Sequence, residues 1–134
     1  MVEACACGGE RLSFPLPEDC REYFPGSPAG ATLCGFCLRV EPTEGAPDAA
    51  PDFQTVSDAF PRDDGDGARV AVLLWMLDSI AHYRSEASEL AERLERSGTD
   101  PLLVLDRLAR EDDIDPHFDL SRRTTQLEQL LYDV

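Results

Sequence analysis

Residues 34–37 of this chain read Cys-Gly-Phe-Cys, and residues 5–7 read Cys-Ala-Cys. Each stretch offers two thiols from a single turn of the backbone. Structural zinc sites hold their ion with four tetrahedral ligands, and paired cysteines at such spacings are typical of them. We therefore predict that one Zn²⁺ ion is bound by four thiolates, those of Cys5, Cys7, Cys34 and Cys37.

The fifth cysteine, Cys20, offers an alternative ligand. The single residue between Cys5 and Cys7 is a tighter gap than the two residues usual in such a pair, so Cys20 could replace Cys5 if that gap is strained. Cys20 could instead be a small buried apolar side chain beside Tyr23 and Phe24, the usual setting of a free cysteine. The sequence supports both interpretations.

No catalytic motif accompanies the cysteines. The histidines, His82 and His117, fall in the part of the chain with helical periodicity, and we interpret both as surface residues. Four cysteines would complete the coordination sphere of zinc, whereas a catalytic site keeps one position open. A redox role for residues 34–37 would require a surrounding βαβ pattern, which the sequence lacks. We therefore expect a protein that is not an enzyme.

Acidic residues dominate the charge. The chain has 27 Asp and Glu against 12 basic residues, with a formal net charge of −15, and all the basic residues are arginine. This composition is typical of proteins in concentrated salt, where a Debye length of about 3 Å at 1 M screens the repulsion between carboxylates. Affinity for nucleic acid depends on clustered Lys and Arg, so the composition argues against that partner.

The apolar segments predict neither export nor membrane insertion. No basic segment followed by an apolar run opens the chain, so we expect no secretory signal. The longest apolar run, residues 70–77, is far shorter than the roughly 20 residues of a membrane-spanning helix. We expect a cytoplasmic protein, in which thiols stay reduced and paired cysteines indicate metal binding rather than disulfides.

The chain divides into three predicted parts. Residues 1–41 form a zinc-ribbon-like β module, with strands near residues 11–14 and 31–33. Residues 42–51 are rich in Pro, Gly and Ala and form a linker. Residues 52–134 form a helical domain.

Within the helical domain we predict four helices. A short one covers residues 52–60, and a long one covers residues 67–97, where apolar residues recur at steps of three and four. A third covers residues 101–110 and a fourth begins near residue 119. The predicted caps are Asp66, Gly98, Asp100 and either Asp119 or Ser121. Amphipathic helices joined by short loops predict an antiparallel bundle, so the fold class is small α+β.

Several stretches together carry a family resemblance. They are Cys-Gly-Gly at 7–9, Phe-Pro-Leu-Pro at 14–17, Leu-Cys at 33–34, Cys-Leu-Arg-Val at 37–40, Ser-Asp-Ala-Phe-Pro at 57–61 and Gln-Leu-Glu-Gln-Leu-Leu at 126–131. On these residues the chain resembles small uncharacterised haloarchaeal proteins that join an amino-terminal zinc ribbon to a helical region. In such ribbons the first pair is generally Cys-x-x-Cys-Gly, which would place a ligand at residue 4, an alanine here. The resemblance implies a fold and a salt-rich habitat, and no activity.

These observations predict a non-enzymatic structural zinc-binding protein that interacts with another protein or with a second copy of itself. The alternative is a transcription-associated or nucleic-acid-associated zinc-ribbon protein, because ribbons often serve that purpose. A patch formed by Arg11, Arg21 and Arg39 on one face of the ribbon would favour the alternative.

Overall fold

The amino-terminal part of the protein is a small antiparallel sheet. The computed structural model describes residues 5–132. The strands are β1 (Arg11–Pro15), β2 (Gly30–Cys34) and β3 (Val40–Thr43), in the order β1-β2-β3. The two predicted strands are confirmed, whereas β3 was not predicted and includes the first two residues of the predicted linker.

Helices account for the remaining regular secondary structure of residues 5–132. They are α1 (Glu18–Arg21), α2 (Asp64–Asp78), α3 (Arg84–Ser97), α4 (Pro101–Ala109) and α5 (Leu120–Tyr132), with 3₁₀ turns at Phe53–Thr55 and Ile80–His82. The helices predicted near α4 and α5 are confirmed, and the fold is small α+β. The antiparallel bundle stays a prediction. Among residues 5–132, no helix is long and apolar enough to cross a membrane.

The predicted long helix over residues 67–97 is wrong, because the chain forms two helices there. Ser79 leaves the helical conformation at φ −133° and ψ 49°, and Tyr83 lies at φ −128° and ψ 29°. No Gly or Pro in the sequence marks this break. The break lets α2 and α3 pack against each other and bury their apolar faces. The helix predicted over residues 52–60 is also shorter, a single 3₁₀ turn at Phe53–Thr55.

Asp66 is not the cap of α2. Asp63 takes that position, since its side chain accepts a hydrogen bond from the backbone N–H of Asp66 at 3.0 Å. The Asp66 side chain is buried, and its carboxylate accepts hydrogen bonds from the hydroxyls of Ser97 and Thr99, each at 2.8 Å to Oδ2. It also pairs with Arg69 Nη1 at 3.1 Å. Asp66 therefore joins the start of α2 to the end of α3.

The predicted caps at Gly98 and Asp100 are confirmed, and of the two alternatives Asp119 and Ser121 the structure has Asp119. Gly98 follows α3 in the left-handed conformation at φ +102°, which glycine adopts without a steric penalty. Asp100 accepts a hydrogen bond from the N–H of Leu103, and Asp119 accepts one from the N–H of Arg122. These contacts are local, which is why the sequence predicts them.

The hydrophobic core is shared by the sheet and the helices. Phe14 of β1 packs edge-on against Phe53 with ring centroids 5.3 Å apart, and Phe53 stacks on Phe60 at 5.6 Å. All three phenylalanines belong to the same cluster of buried side chains as most of the apolar residues of α2. Helix α2 also contacts β3. The division at residues 1–41, 42–51 and 52–134 stays a prediction, and residues 1–4 and 133–134 lie outside the described residues.

An ion-pair network also ties α1 to the helices. The carboxylate of Asp19 accepts hydrogen bonds from Arg69 Nε at 3.3 Å and from Arg93 Nη1. Burial acts to raise the pKa of Asp19, but the hydrogen bonds and charges of the two guanidinium groups outweigh it and lower that pKa. Tyr23, just after α1, donates to Glu89 of α3 at 3.2 Å.

We expect Asp66→Ala to lower the free energy of unfolding by about 3 kcal/mol, because it leaves the hydroxyls of Ser97 and Thr99 and one N–H of the half-buried Arg69 guanidinium without their acceptor. Asp64→Ala is the matched control. Asp64 lies in the same helical turn but is exposed, so its loss should cost less than about 1 kcal/mol. Urea unfolding followed by circular dichroism measures both values, and equal effects would contradict the structural role of Asp66.

Gly67→Ala should also destabilise the protein. A Cβ atom at Gly67 would lie 2.4 Å from Cδ2 of Phe53, whose ring is enclosed by the core. Overpacking costs about 1–3 kcal/mol, which exceeds the gain of about 1 kcal/mol from replacing a helical glycine. At Gly65 a Cβ atom would meet only side-chain ends, the guanidinium of Arg69 at 3.2 Å and Oδ2 of Asp63 at 3.3 Å, so Gly65→Ala should cost less than Gly67→Ala. Thermal melts of the two variants compare them directly, and a stabilised Gly67→Ala protein would contradict this packing.

Candidate metal centre

The pairing of β1 with β2 brings the two cysteine turns together. Cys34 ends β2 directly opposite Arg11, the first residue of β1. The backbone N–H of Gly35 donates to the carbonyl of Glu10 at 2.9 Å, which continues the pairing beyond the strands. The turn that follows Cys7 therefore lies against the turn that follows Cys34.

Each turn is closed by its own backbone hydrogen bonds. In the first, the N–H of Cys5 donates to the carbonyl of Gly9 and the N–H of Gly8 donates to the carbonyl of Cys5, each at 2.8 Å, and Gly8 takes φ +94°. In the second, the N–H of Leu38 donates to the carbonyl of Cys34 at 3.1 Å. Leu38 has φ +61°, which is rare for a residue with a side chain, and it is held there by burial in the core.

The structure places all four predicted cysteines in one cluster. The sulfur atoms of Cys5, Cys7, Cys34 and Cys37 all lie within 4.8 Å of one another. The Sγ atoms of Cys5 and Cys37 are 3.7 Å apart, and those of Cys7 and Cys34 are 3.5 Å apart. A tetrahedron with metal–sulfur bonds of about 2.3 Å has edges of about 3.8 Å. The cluster could therefore hold a metal ion.

Backbone N–H groups point at two of these sulfurs. Those of Phe36 and Cys37 each donate to Sγ of Cys34 at 3.4 Å, and that of Gly9 donates to Sγ of Cys7 at 3.4 Å. Such donors favour the charged thiolate over the thiol. The turns therefore place partial positive charge beside the sulfur atoms of Cys7 and Cys34, which favours the deprotonated form that binds a metal ion.

The thiol pKa values within the cluster diverge. The backbone N–H of Cys7 contributes most to lowering the pKa of Cys5 to about 6, although burial acts against it. Burial raises the pKa of Cys37 to about 12 and also raises that of Cys34. Four adjacent thiolates would repel one another, so full ionisation of the cluster calls for the positive charge of a metal ion.

Cys20 lies apart from this cluster. It sits on α1 with no solvent exposure, among the apolar side chains of the main core. Burial raises the pKa of its thiol to about 12, so it stays protonated. The structure thus favours the interpretation of Cys20 as a buried apolar side chain over that of a ligand.

Because Gly9 has no side chain, the first cysteine turn can lie close to the second. A Cβ atom at this position would lie 2.8 Å from Sγ of Cys34, 2.8 Å from Cβ of Phe36 and 3.4 Å from Sγ of Cys7. No other residue type fits here without moving the first turn away from the second. The Gly-Gly pair after Cys7 hints at a tight turn, but only the structure reveals this contact.

His117 is not the plain surface residue that the sequence predicted. Its side chain is 15% exposed, and Nδ1 lies 3.0 Å from the carbonyl oxygen of Cys37 while Nε2 lies 3.2 Å from Oδ2 of Asp78. The backbone N–H of His117 also donates to the carbonyl of Cys37, at 2.9 Å. The backbone N–H of Asp115 donates to the carbonyl of Phe36 at 2.8 Å. The loop before α5 therefore holds the second cysteine turn. His82 is exposed, as predicted.

We expect Gly9→Ala to weaken metal binding by about 10- to 100-fold, the usual effect of disturbing the groups around metal ligands. The added methyl group would push against Cys34 and Phe36, while every sulfur ligand remains present. Gly45→Ala is the control, since a Cβ atom there meets nothing within 4 Å. Competition with a chromophoric chelator measures both affinities, and equal affinity in the two variants would contradict the role assigned to Gly9.

A protein-family model matches almost the whole chain. The model of a family of unknown function, DUF6276, matches residues 4–131, a span that includes all four clustered cysteines. No curated protein and no solved structure matches the chain. The matched residues include the whole sheet and almost the whole of α5. The chain therefore belongs to DUF6276.

Proposed function

We propose that this protein is a non-enzymatic structural zinc-binding protein of the zinc-ribbon type. The observation that carries the proposal is the approach of four cysteine sulfurs to within 4.8 Å of one another at one end of the paired strands β1 and β2. Four sulfur donors in a tetrahedron are typical of zinc or of iron–sulfur centres. The sulfur separations of 3.5 and 3.7 Å suit a single ion.

The donor set favours a structural role over a catalytic one. Four protein ligands fill the tetrahedron of zinc and leave no position for water or a substrate. Cys5, Cys34 and Cys37 are buried, and Cys7 alone among the four is exposed. We infer that the metal contributes to folding by joining the first turn, which precedes β1, to the turn that follows β2.

We further propose that the protein acts through contacts with another protein or with a second copy of itself. Three large apolar side chains support this role, since they are exposed: Phe36 at 41%, Leu103 at 54% and Tyr132 at 64%. Phe36 lies inside the second cysteine turn, so a bound metal would fix its position. Exposed aromatic side chains are enriched at protein interfaces.

The nucleic-acid alternative has less support from the arginines on which it depends. Arg11 pairs with Glu41 of β3 at 3.7 Å, and Arg21 Nε donates to the carbonyl of Leu16 at 3.3 Å. Two of the three arginines thus already have partners within the amino-terminal part of the chain, while Arg39 is exposed. We also propose that the protein works in a salt-rich cytoplasm, where the net charge of −15 keeps its surface hydrated.

We expect native mass spectrometry to find one zinc ion per chain in protein purified without chelator. Cys34→Ser and Cys37→Ser should lose the ion, because each removes one of four ligands. Cys20→Ala should keep it, since Cys20 lies in the apolar core. The measured mass also distinguishes zinc from iron, and iron thiolates absorb visible light while zinc thiolates do not.

Two results would contradict the proposal. One is the absence of any metal from natively folded protein. The other is full zinc occupancy in a folded Cys5→Ser variant, which would show that the cluster does not act as a set of four ligands. Circular dichroism of each variant establishes that it is folded.

A further inference from the structure

One surface groove differs in charge from the rest of this acidic protein. It lies where the turn at Ile80–His82 and the start of α3 meet α5, and its volume is about 440 Å³. Ile80 and Leu130 contribute apolar surface to it, while Arg84 and Arg123 contribute positive charge. Among residues 5–132, no Asp or Glu lines it.

The absence of carboxylates is unusual in a chain that has 27 of them. Three other surface grooves each include at least one. Asp106 and Glu128 line the groove between α4 and α5, and Glu95 and Asp100 line the groove beside Tyr132. Glu10 lines the groove beside Phe36. The positive groove is therefore a local exception to the charge of the surface.

Its arginines also differ from those that stabilise the fold. Arg69 and Arg93 both pair with Asp19. In contrast, neither Arg84 nor Arg123 forms an ion pair within residues 5–132, and Arg123 Nη1 donates to the neutral amide oxygen of Gln126 at 3.3 Å. Guanidinium groups without a carboxylate partner keep N–H donors free to bind an oxyanion.

The backbone adds to the positive charge at the same place. Helix α3 begins at Arg84, and no side chain caps its amino terminus. The first N–H groups of a helix have no partner within the helix, and they carry the positive end of its dipole. An anion near Arg84 would thus meet both a guanidinium group and these N–H donors.

We propose that this groove binds a small organic anion, with its carboxylate or phosphate group against Arg84 and Arg123 and its apolar body against Ile80 and Leu130. The volume of about 440 Å³ falls in the usual range for small-molecule sites, about 300–1,000 Å³. The amide groups of Gln126 and Gln129 line the same groove and would orient the ligand by hydrogen bonds.

The test is a titration of the ¹⁵N-labelled full chain followed by two-dimensional NMR. The probes are phenyl phosphate and benzoate, which share an aromatic ring and differ in the anionic group. The probe that binds with the lower dissociation constant identifies the preferred oxyanion. We expect saturable shifts of the amide signals from residues 80–84 and 123–130. Benzyl alcohol, which lacks the charge, and inorganic phosphate, which lacks the ring, should each bind at least about tenfold more weakly.

Three variants connect binding to the arginines. Arg84→Gln and Arg123→Gln should each weaken the binding of the preferred probe by about tenfold, the loss expected from one charged hydrogen bond. Arg122→Gln makes the same change in net charge on α5 but lies outside the groove, so it should leave the affinity unchanged. The dispersion of each NMR spectrum reports whether the variant is folded.

Several results would overturn the proposal. They include shifts confined to residues outside the groove, equal binding of benzyl alcohol, and equal weakening by all three substitutions, which would indicate attraction by overall charge alone. Arg84 is exposed, so Arg84→Gln gives a folded variant even if Arg123→Gln does not. Unchanged affinity in Arg84→Gln would by itself contradict the site.

Discussion

The register between β1 and β2 is the constraint on which both the core and the cysteine cluster depend. Cys34 pairs with Arg11, and Phe14 pairs with Ala31. A slip of one residue would turn Phe14 away from Phe53 and point its exposed neighbour Ser13 at the core. The same slip would carry Cys34 away from the first cysteine turn. Burial of apolar surface and convergence of the sulfurs therefore favour one and the same pairing.

The cysteine cluster is also connected to the helices by contacts that involve no sulfur. The carbonyl groups of Phe36 and Cys37 accept hydrogen bonds from the loop at residues 115–117. His117 extends this connection to Asp78 at the end of α2. Because the same loop leads into α5, the second cysteine turn helps to position the helix that forms one wall of the positive groove.

Arginine has two distinct roles in this acidic protein. Inside the fold, the guanidinium group of Arg69 contacts both Asp19 and Asp66 and so joins α1 to α2, a double contact that suits the several donors of a guanidinium group. At the positive groove, Arg84 and Arg123 have no carboxylate partner within the described chain. The first role satisfies the buried carboxylate of Asp66 and the half-buried one of Asp19, and the second leaves hydrogen-bond donors available to a ligand.

The sequence by itself determined the features that depend on near neighbours: the four preferred metal ligands, with Cys20 as an alternative, β1 and β2, the helices α4 and α5, and the caps at Gly98 and Asp100. Cysteine spacing, apolar periodicity and capping chemistry act over a few residues, so a single sequence reveals them. The tertiary structure alone decided the break between α2 and α3, the addition of β3, the burial of Asp66 and the contact of His117 with the cysteine turn. Each of these depends on partners distant in the chain, whose packing and hydrogen bonds outweigh the local pattern.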